Sequence, residues 1–412
     1  MCTLHSLGYQ AVRRQYPDVG GVNEHKMDAI VETLIRVRPR TSIALSSLAE
    51  VRGQFRRLIS LAKATLTDPG HRSAVARLMD RYGINLAADV DTVSTLLDEA
   101  LDWSLQQRQV VDYDDMIYVP VRLGLPIPRF DAVFVDEALD LNPAQIELVL
   151  RSVRSGGRVI AVGDRRQSIY GWRGADTQAI PNLIKRLGAT TLPLSISYRC
   201  PRHHVRLARR LAPRMKAAPG AVDGIVRTVD EMQLPEIVRE GDLIICRTNA
   251  PLIVCAFSLL KHNFRAAISG KDMSTNLLSL ARRVKADTLH EMHQRLWGWH
   301  DEERQRLLDD GASQTRMALH DDRTASLAAI MSHCRTPEDV FKWLNNLYSR
   351  GKGAVTLSTV HRAKGLEAER VIILRPDLLP LAVGRTWEKV QERNVKYVAL
   401  TRSKRELIFA EN

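Results

Sequence analysis

Two short stretches hold side chains whose types and spacing could do chemistry. In RFDAVFVDEALDLNPAQ (129–145) an apolar run, Ala132 to Val135, ends in Asp136 and Glu137, with Asp140 close behind. Open α/β sheets bind ligands at the carboxyl ends of their strands. An acid there could hold Mg²⁺ while a second carboxylate polarises a water. A strand that merely runs into a polar loop would read the same way. In AVGDRRQSIYGWRGAD (161–176) a second run ends at Gly163 and Asp164, then offers Gln167, Tyr170, Trp172 and Arg173. Gln could hydrogen-bond a terminal phosphate or its attacking water, and Tyr and Trp could stack unpaired bases, at roughly 1–3 kcal/mol per base. The alternative, for Tyr170 in particular, is a small satellite core beneath the loop.

These side chains need elements to carry them. DAVFVD (131–136) and RVIAVGD (158–164) read as strands, with PAQIELVLRSVR between them as a helix. Pro143 suits its first turn, and Gly156-Gly157 is expected after its end. Strand–helix–strand at this spacing predicts a parallel sheet covered on both faces. A second block repeats the pattern. DLIICRT (242–248), AVTLSTV (354–360), RVIIL (370–374) and ELIFA (406–410) are its strands, and NAPLIVCAFSLLKHN and TWEKVQERNVKYVALTR its helices. Two regions, about 26–110 and about 272–350, look purely helical and fall inside the blocks. They are expected as helical insertions into two α/β domains. AAPGAVD (217–223) is expected to be the flexible part of the second block.

Composition bounds the partners. The 412 residues are 45% hydrophobic, enough to fill two cores. A net charge of +13 points to a polyanionic partner, most simply nucleic acid, although surplus arginine can serve solubility alone. Cys2, Cys200, Cys246, Cys255 and Cys334 are scattered without a CxxC pair. That argues against a cysteine zinc site or a disulfide framework and fits a reducing compartment. The N-terminus lacks a charged-then-apolar signal pattern and no apolar run nears membrane-spanning length. A cytoplasmic protein with no membrane partner is the expectation.

Taken together, the first two stretches resemble motifs II and III of the UvrD/Rep/PcrA group of superfamily-one DNA helicases. The resemblance continues in the family's order. LPLSISYRC (192–200) is similar to the segment ending Asn-Tyr-Arg-Ser, TLSTVHRAKGLEAERVIIL (356–374) to motif V and ERNVKYVALTRSKRELIFA (392–410) to motif VI. TLHSLG (3–8) looks like the short motif Ib, and DYDDMIYVPV (112–121) also fits the group. The resemblance implies two RecA-like parallel-sheet domains of the P-loop NTPase fold, the first incomplete, at 1–195 and 196–412. It implies ATP and Mg²⁺ as cofactors, and single-stranded or partly duplex DNA as partner. Position by position, Asp136 would hold the magnesium, Glu137 would be the general base and Gln167 would sense the terminal phosphate. Arg199 and Arg402 would stabilise charge on the transferring phosphate, and Glu367 would contact the ribose. His5, Tyr170, Trp172, Arg173, Thr359 and His361 would meet DNA.

The family's P-loop, GxxxxGK[ST], has no counterpart in these 412 residues. Gly270-Lys271 leads to Asp272 and Gly351-Lys352 to Gly353. The resemblance therefore starts at motif Ib, as in an N-terminally truncated member, with a separate polypeptide or an upstream segment supplying the phosphate cradle. Leu139 stands where motif II usually has Gln, Ser197 where Asn precedes Tyr-Arg, and Cys200 where Ser follows. An ATP-dependent helicase is the leading expectation. Its rivals are a non-hydrolysing single-stranded-DNA-binding or regulatory protein of the same descent and, less strongly supported, a nuclease-complex subunit.

Overall fold

The computed structural model describes residues 1–37, 48–86, 88–170, 179–309, 312, 314–346 and 355–412. It is an α/β protein with parallel sheets that divides into two compact units, Met1–Thr191 and Leu192–Asn412. The sequence reading placed that division at 195/196.

The first unit opens with α1 (Leu4–Gln15), capped by the Thr3 hydroxyl, which accepts from the Ser6 amide at 3.1 Å. Helices α2 (Lys26–Val37), α3 (Leu48–Thr65), α4 (Arg72–Tyr82) and α5 (Val90–Gln106) follow. They bury their own core of Leu34, Leu58, Ile59, Val75 and Leu97. Two-residue strands, β1 (Gly21–Val22) and β2 (Val110–Val111), pair in parallel on either side of this helical segment. Next comes α6 (Tyr113–Arg122). A Cβ on Gly8 would lie 1.9 Å from the Met116 carbonyl oxygen, so only glycine lets α1 lie this close to α6.

β3 (Phe130–Val135), α7 (Pro143–Arg151) and β4 (Val153–Ala161) form the expected strand–helix–strand, with α8 (Ala179–Leu187) closing the unit. Asn142 and Gln145 cap α7 reciprocally, at 2.8 and 3.0 Å. Two expectations are corrected here. Gly156-Gly157 does follow the helix, but β4 already starts at Val153, so the pair lies inside the strand and does not end the helix. The register jumps from Phe130 opposite Val153 to Ala132 opposite Arg158, so the glycines form a bulge, with Gly156 at φ +75°. The sheet is also not covered on both faces. Strand side chains alternate between faces. Val135 packs with Ala138, Leu141, Ile146, Val149 and Leu183. Phe134, 74% exposed, and the exposed Ile160 and Val162 have no helix over them among the described residues.

The second unit starts with β5 (Ile196–Ser197), α9 (Arg202–Ala208) and β6 (Lys216–Ala217), in which β5 and β6 pair in parallel. β7 (Ile225–Asp230), α10 (Leu234–Ile237), β8 (Leu243–Cys246), α11 (Ala250–Lys261) and β9 (Ala266–Ile268) lead into α12 (Lys271–Arg283), α13 (Leu289–Asp309), α14 (Gln314–Met331) and α15 (Pro337–Asn346). β10 (Val355–Thr359), β11 (Ala368–Leu374), α16 (Thr386–Leu400) and β12 (Ser403–Glu411) complete it. Six of these strands form one parallel sheet in the order β7-β12-β11-β8-β10-β9. Its apolar strands, Leu243 to Cys246 and Val371 to Leu374, are buried throughout, as a sheet covered by helices requires.

The helical insertion α12–α15 enters between the neighbouring strands β9 and β10. It shares the sheet's core through Leu277, Leu280, Met292, Leu296, Leu327, Ile330 and Val340. Asp322 of α14 accepts from the Asn249 and Ala250 amides at 2.9 Å, capping α11 from outside. The segment 217–223, expected to be flexible, is tied down. The amides of Arg202 and His203 donate to Val222 and Asp223 at 2.9 Å, and Gly224 packs directly on Pro201.

Candidate functional site

In the first unit, β3 delivers Asp136 and Glu137 to solvent at its carboxyl end. The Glu137 amide donates to Asp136 Oδ1 at 2.9 Å. Glu137 adopts φ +49°, a left-handed conformation that costs a non-glycine residue on the order of 1 kcal/mol and is commonly held at functional positions. The next turn clamps that geometry. The Ala138 amide donates to the Val162 carbonyl at 2.9 Å, and the Val162 amide to Val135 at 2.8 Å. The carboxylate loop is thereby fastened to the loop after β4, where Gln167 ends a short helical turn capped by Asp164. Leu139 is buried and packs on Gly163, whose Cβ would lie 3.1 Å from a Leu139 methyl. The position that departs from the motif II pattern serves here as an apolar link between the two loops. Two exposed carboxylates at one strand end form an oxygen donor set suited to Mg²⁺.

The second unit gathers the remaining nucleotide candidates. Arg199 Nε lies 2.5 Å from Glu367 Oε2, and Lys404 Nζ lies 2.5 Å from Glu367 Oε1. These residues, with Tyr198, Cys200 and Arg405, line an open cleft of about 560 Å³. The Lys404 hydrogen bond, chiefly, and the Arg199 charge hold the Glu367 carboxyl below its usual range. Arg402 is 1% exposed. Its Nε donates to the Val398 carbonyl at 2.9 Å and its guanidinium to the Thr401 hydroxyl at 3.0 Å. Burial first, and the charge of Arg199 second, lower the Arg402 pKa.

The DNA candidates are more dispersed. His5 sits on α1 with its ring edge-on to Tyr113 at 6.5 Å. Tyr170 is half-buried, while Trp172 and Arg173 lie outside the described residues. Thr359 closes β10 and is buried, its carbonyl accepting from the Arg362 and Ala363 amides. His361 follows on that turn, half-buried. Burial, and then the charge of Arg247, push its imidazole down to about 3, so it stays neutral at ordinary pH. Arg247 is itself clasped by buried Glu392 at 2.6 and 2.9 Å. Arg247, Glu392 and Lys404 were not singled out from sequence. Lys404 had a signal, two positions after Arg402 at the start of a strand. The Arg247–Glu392 pair had none, because the sequence separates its members by more than a hundred residues.

The UvrD/REP helicase N-terminal domain family matches residues 1–187, and the UvrD-like helicase C-terminal domain family matches residues 325–412. Both halves of one family therefore match in order, over about two thirds of the chain. This chain belongs to the UvrD-like helicase family. It is similar to the ATP-dependent DNA helicase PcrA of Leuconostoc citreum, 28% identical over 207 residues, covering 48% of this chain and 26% of that protein. It is also similar to PcrA of Bacillus subtilis (strain 168), 31% identical over 163 residues, 37% of this chain and 21% of the relative. A PcrA from Staphylococcus aureus is 36% identical over 104 residues, 23% of this chain and 14% of its own length. The matched part is thus about a quarter or less of each relative. The UvrD N-terminal match holds Asp136, Glu137 and Gln167, and the C-terminal match holds Glu367 and Arg402. Arg199 falls between them, so its place rests on the geometry of the cleft.

Proposed function

We propose that this UvrD-like chain acts as an ATP-dependent DNA helicase or translocase in the cytosol, hydrolysing ATP when single-stranded DNA is bound and moving 3′ to 5′. The observation that carries the reading is the cleft of the second unit, where Arg199 and Lys404 meet Glu367 beside Tyr198. Guanidinium and ammonium groups beside an exposed aromatic ring, here Tyr198, suit a ligand that carries phosphates and a flat base. Mg²⁺-ATP, when bound, would supply the transferable phosphoryl group and the cation that neutralises its charge. Asp136 would hold the cation and Glu137 would take the proton of the attacking water. Gln167 would orient that water against the terminal phosphate. Arg199 and Arg402 would offset the charge that develops on it, and Glu367 would hold the sugar. Tyr170, Trp172 and Arg173, with His5, Thr359 and His361, would hold DNA. The phosphate cradle would come from an upstream segment or a separate polypeptide. The open edge of the β3–β4 ribbon supports that reading, since a further parallel strand would pair with it.

A second reading is a non-hydrolysing single-strand-binding or regulatory protein. The sequence feature that favours it is the net charge of +13, which suits strand binding with or without ATP hydrolysis. The two separate cleanly in one experiment on this chain, ATPase measured with and without single-stranded DNA. DNA-stimulated turnover abolished by Glu137→Gln supports the helicase. Salt-sensitive strand binding without turnover supports the binding protein and overturns the enzyme reading for this chain.

A further inference from the structure

Helices α13 and α14 of the second unit's insertion meet through two histidines. His300 and His320 stack almost parallel, with ring centroids 4.7 Å apart and planes inclined by 12°. Stacked imidazoles gain little from each other unless something else fixes them. The hydrogen bonds of this pair do so, and they also assign the tautomers. Thr324 Oγ1 donates to the His320 carbonyl at 3.3 Å, so it accepts from His300 Nδ1 at 3.1 Å. That makes His300 an Nδ1–H tautomer with its lone pair on Nε2. His320 Nε2 lies 3.1 Å from the His300 carbonyl oxygen, which can only accept. His320 is therefore an Nε2–H tautomer with its lone pair on Nδ1.

Beside them stands Asp321. Its Oδ1 is buried and has no hydrogen-bond partner among the described residues; His300 Nε2 lies 3.8 Å away and Arg304 Nε 3.6 Å. A ring nitrogen of each histidine and a carboxylate oxygen of Asp321 all fall within 4.8 Å of one another. The oxygen thus lacks a hydrogen-bond donor beside two imidazole rings, and its nearest cation, Arg304, stands off at 3.6 Å. The second shell is already built. Metal-binding histidines characteristically donate their other N–H to a hydroxyl, carboxylate or backbone carbonyl, which fixes the ring and its tautomer.

We propose that His300, His320 and Asp321 form a binding site for a divalent first-row transition ion of the zinc type. Two imidazoles and one carboxylate suit Zn²⁺, Co²⁺ or Ni²⁺, whereas Mg²⁺ prefers all-oxygen sites. Bond lengths near 2.1 Å put tetrahedral ligands roughly 3.4 Å apart, so the 3.8 Å pair must close by about half an ångström. Asp321 is partly exposed, which leaves a fourth position open to water. The ion ties α13 to α14 and replaces the weak contact of Asp321 with Arg304. Arg323 and Arg304 are the neighbouring cations that oppose it. This site shares no residue with the nucleotide candidates, and its test is independent of ATP.

The experiment is a Co²⁺ titration of the chelator-treated 412-residue chain, followed by visible absorption and displaced by Zn²⁺. One ion per chain is expected, with Zn²⁺ also raising the thermal unfolding midpoint. His300→Ala and Asp321→Asn should each weaken Co²⁺ at least tenfold. Thr324→Val, which preserves shape but releases the His300 tautomer, should weaken it roughly 10–100-fold. His290→Ala and His293→Ala, on the exposed face of α13, should change nothing. Circular dichroism confirms that each variant is folded, and Asp321→Asn alone decides the matter if the buried variants are not. Binding that survives Asp321→Asn, binding lost in His293→Ala, or no stoichiometric binding at all overturns the site.

Discussion

Glu367 takes Arg199 on one carboxylate oxygen and Lys404 on the other, each at 2.5 Å. The residue cast as the ribose contact and the residue cast as the phosphate contact thus satisfy one another. A nucleotide that engaged Arg199 would have to compete with Glu367 for it, so the pair would couple recognition of the sugar to release of the arginine. On a preparation that turns over ATP, Arg199→Ala should lower kcat by roughly 10³-fold or more, as loss of an arginine that stabilises the transferring phosphate does. Glu367→Gln should act mainly on KM for ATP. Steady-state kinetics check both, and an Arg199→Ala enzyme with unchanged kcat would remove Arg199 from the reaction.

Glu137 holds a positive φ that Asp136 does not. Glu137→Gln preserves size and removes the base. Turnover should fall by roughly 10²–10⁴-fold while single-stranded DNA affinity is retained. Fluorescence anisotropy with a labelled oligonucleotide, run beside the ATPase assay, separates the two effects.

The helical part of the first unit is held by an ion cluster that no motif announces. Lys63, fully buried, reaches Asp115 at 2.7 Å and Asp112 at 3.2 Å, and Lys26 reaches Asp115 at 2.6 Å. Burial works against the Lys63 charge, but Asp115 and Asp112 outweigh it and raise its pKa. The two lysines hold the Asp115 carboxyl below its usual range against burial, whereas burial, with the neighbouring carboxylate, pushes Asp112 up. Lys63→Met leaves Asp112 without its cation and Asp115 with Lys26 alone, and should cost roughly 3–5 kcal/mol in guanidinium unfolding. A loss below about 1 kcal/mol would show that the cluster is solvated.

His361 is kept neutral, with its imidazole pushed down to about 3. Between that value and the unfolded value near 6.5 the unfolded chain takes up a proton that the folded chain does not. Its contribution to stability is therefore complete above about pH 6.5 and is lost as pH falls toward 3, by about 1.4 kcal/mol per pH unit. Burial shifts His204 and His320 in the same direction. Denaturant midpoints from pH 7.5 to 5 should fall in the wild type and fall less steeply in His361→Gln. Parallel profiles would show that His361 is solvated.

Among the described residues, Phe134, Ile160 and Val162 line an uncovered strand face beside an open edge. Phe134→Thr should change unfolding free energy by no more than about 0.5 kcal/mol, because the ring touches little. It should reduce self-association in light scattering, since exposed apolar edges template it. A large stability loss would mean that the face is covered in solution.

The order of strands and helices could be read from the residues alone. The short apolar run Leu243 to Cys246 reads as a buried strand by its length and its flanks, and Asn142-Pro143 before an amphipathic stretch reads as a helix start. The carboxylates at the end of β3 were legible too, because a strand end is a local feature. The bulge at Gly156-Gly157 was not. Whether paired glycines end a helix or interrupt a strand depends on the partner strand, and the β3 register decides it. Coverage of the sheet was equally out of reach, since alternation states that Phe134 has a face but not what lies over it.

For the site, the sequence determined which side chains are available: Asp136, Glu137, Gln167, Arg199, Glu367 and Arg402, each within a recognisable stretch. Only the tertiary structure decided their company. It set Arg199 on Glu367, put Lys404 beside them, and wedged Leu139 against Gly163. It also brought His300 to His320 and Lys63 to Asp115. The physical reason is the same throughout. Periodicity and motifs report the chain's local preferences, whereas ion pairs and stacked rings form between residues that only packing makes neighbours.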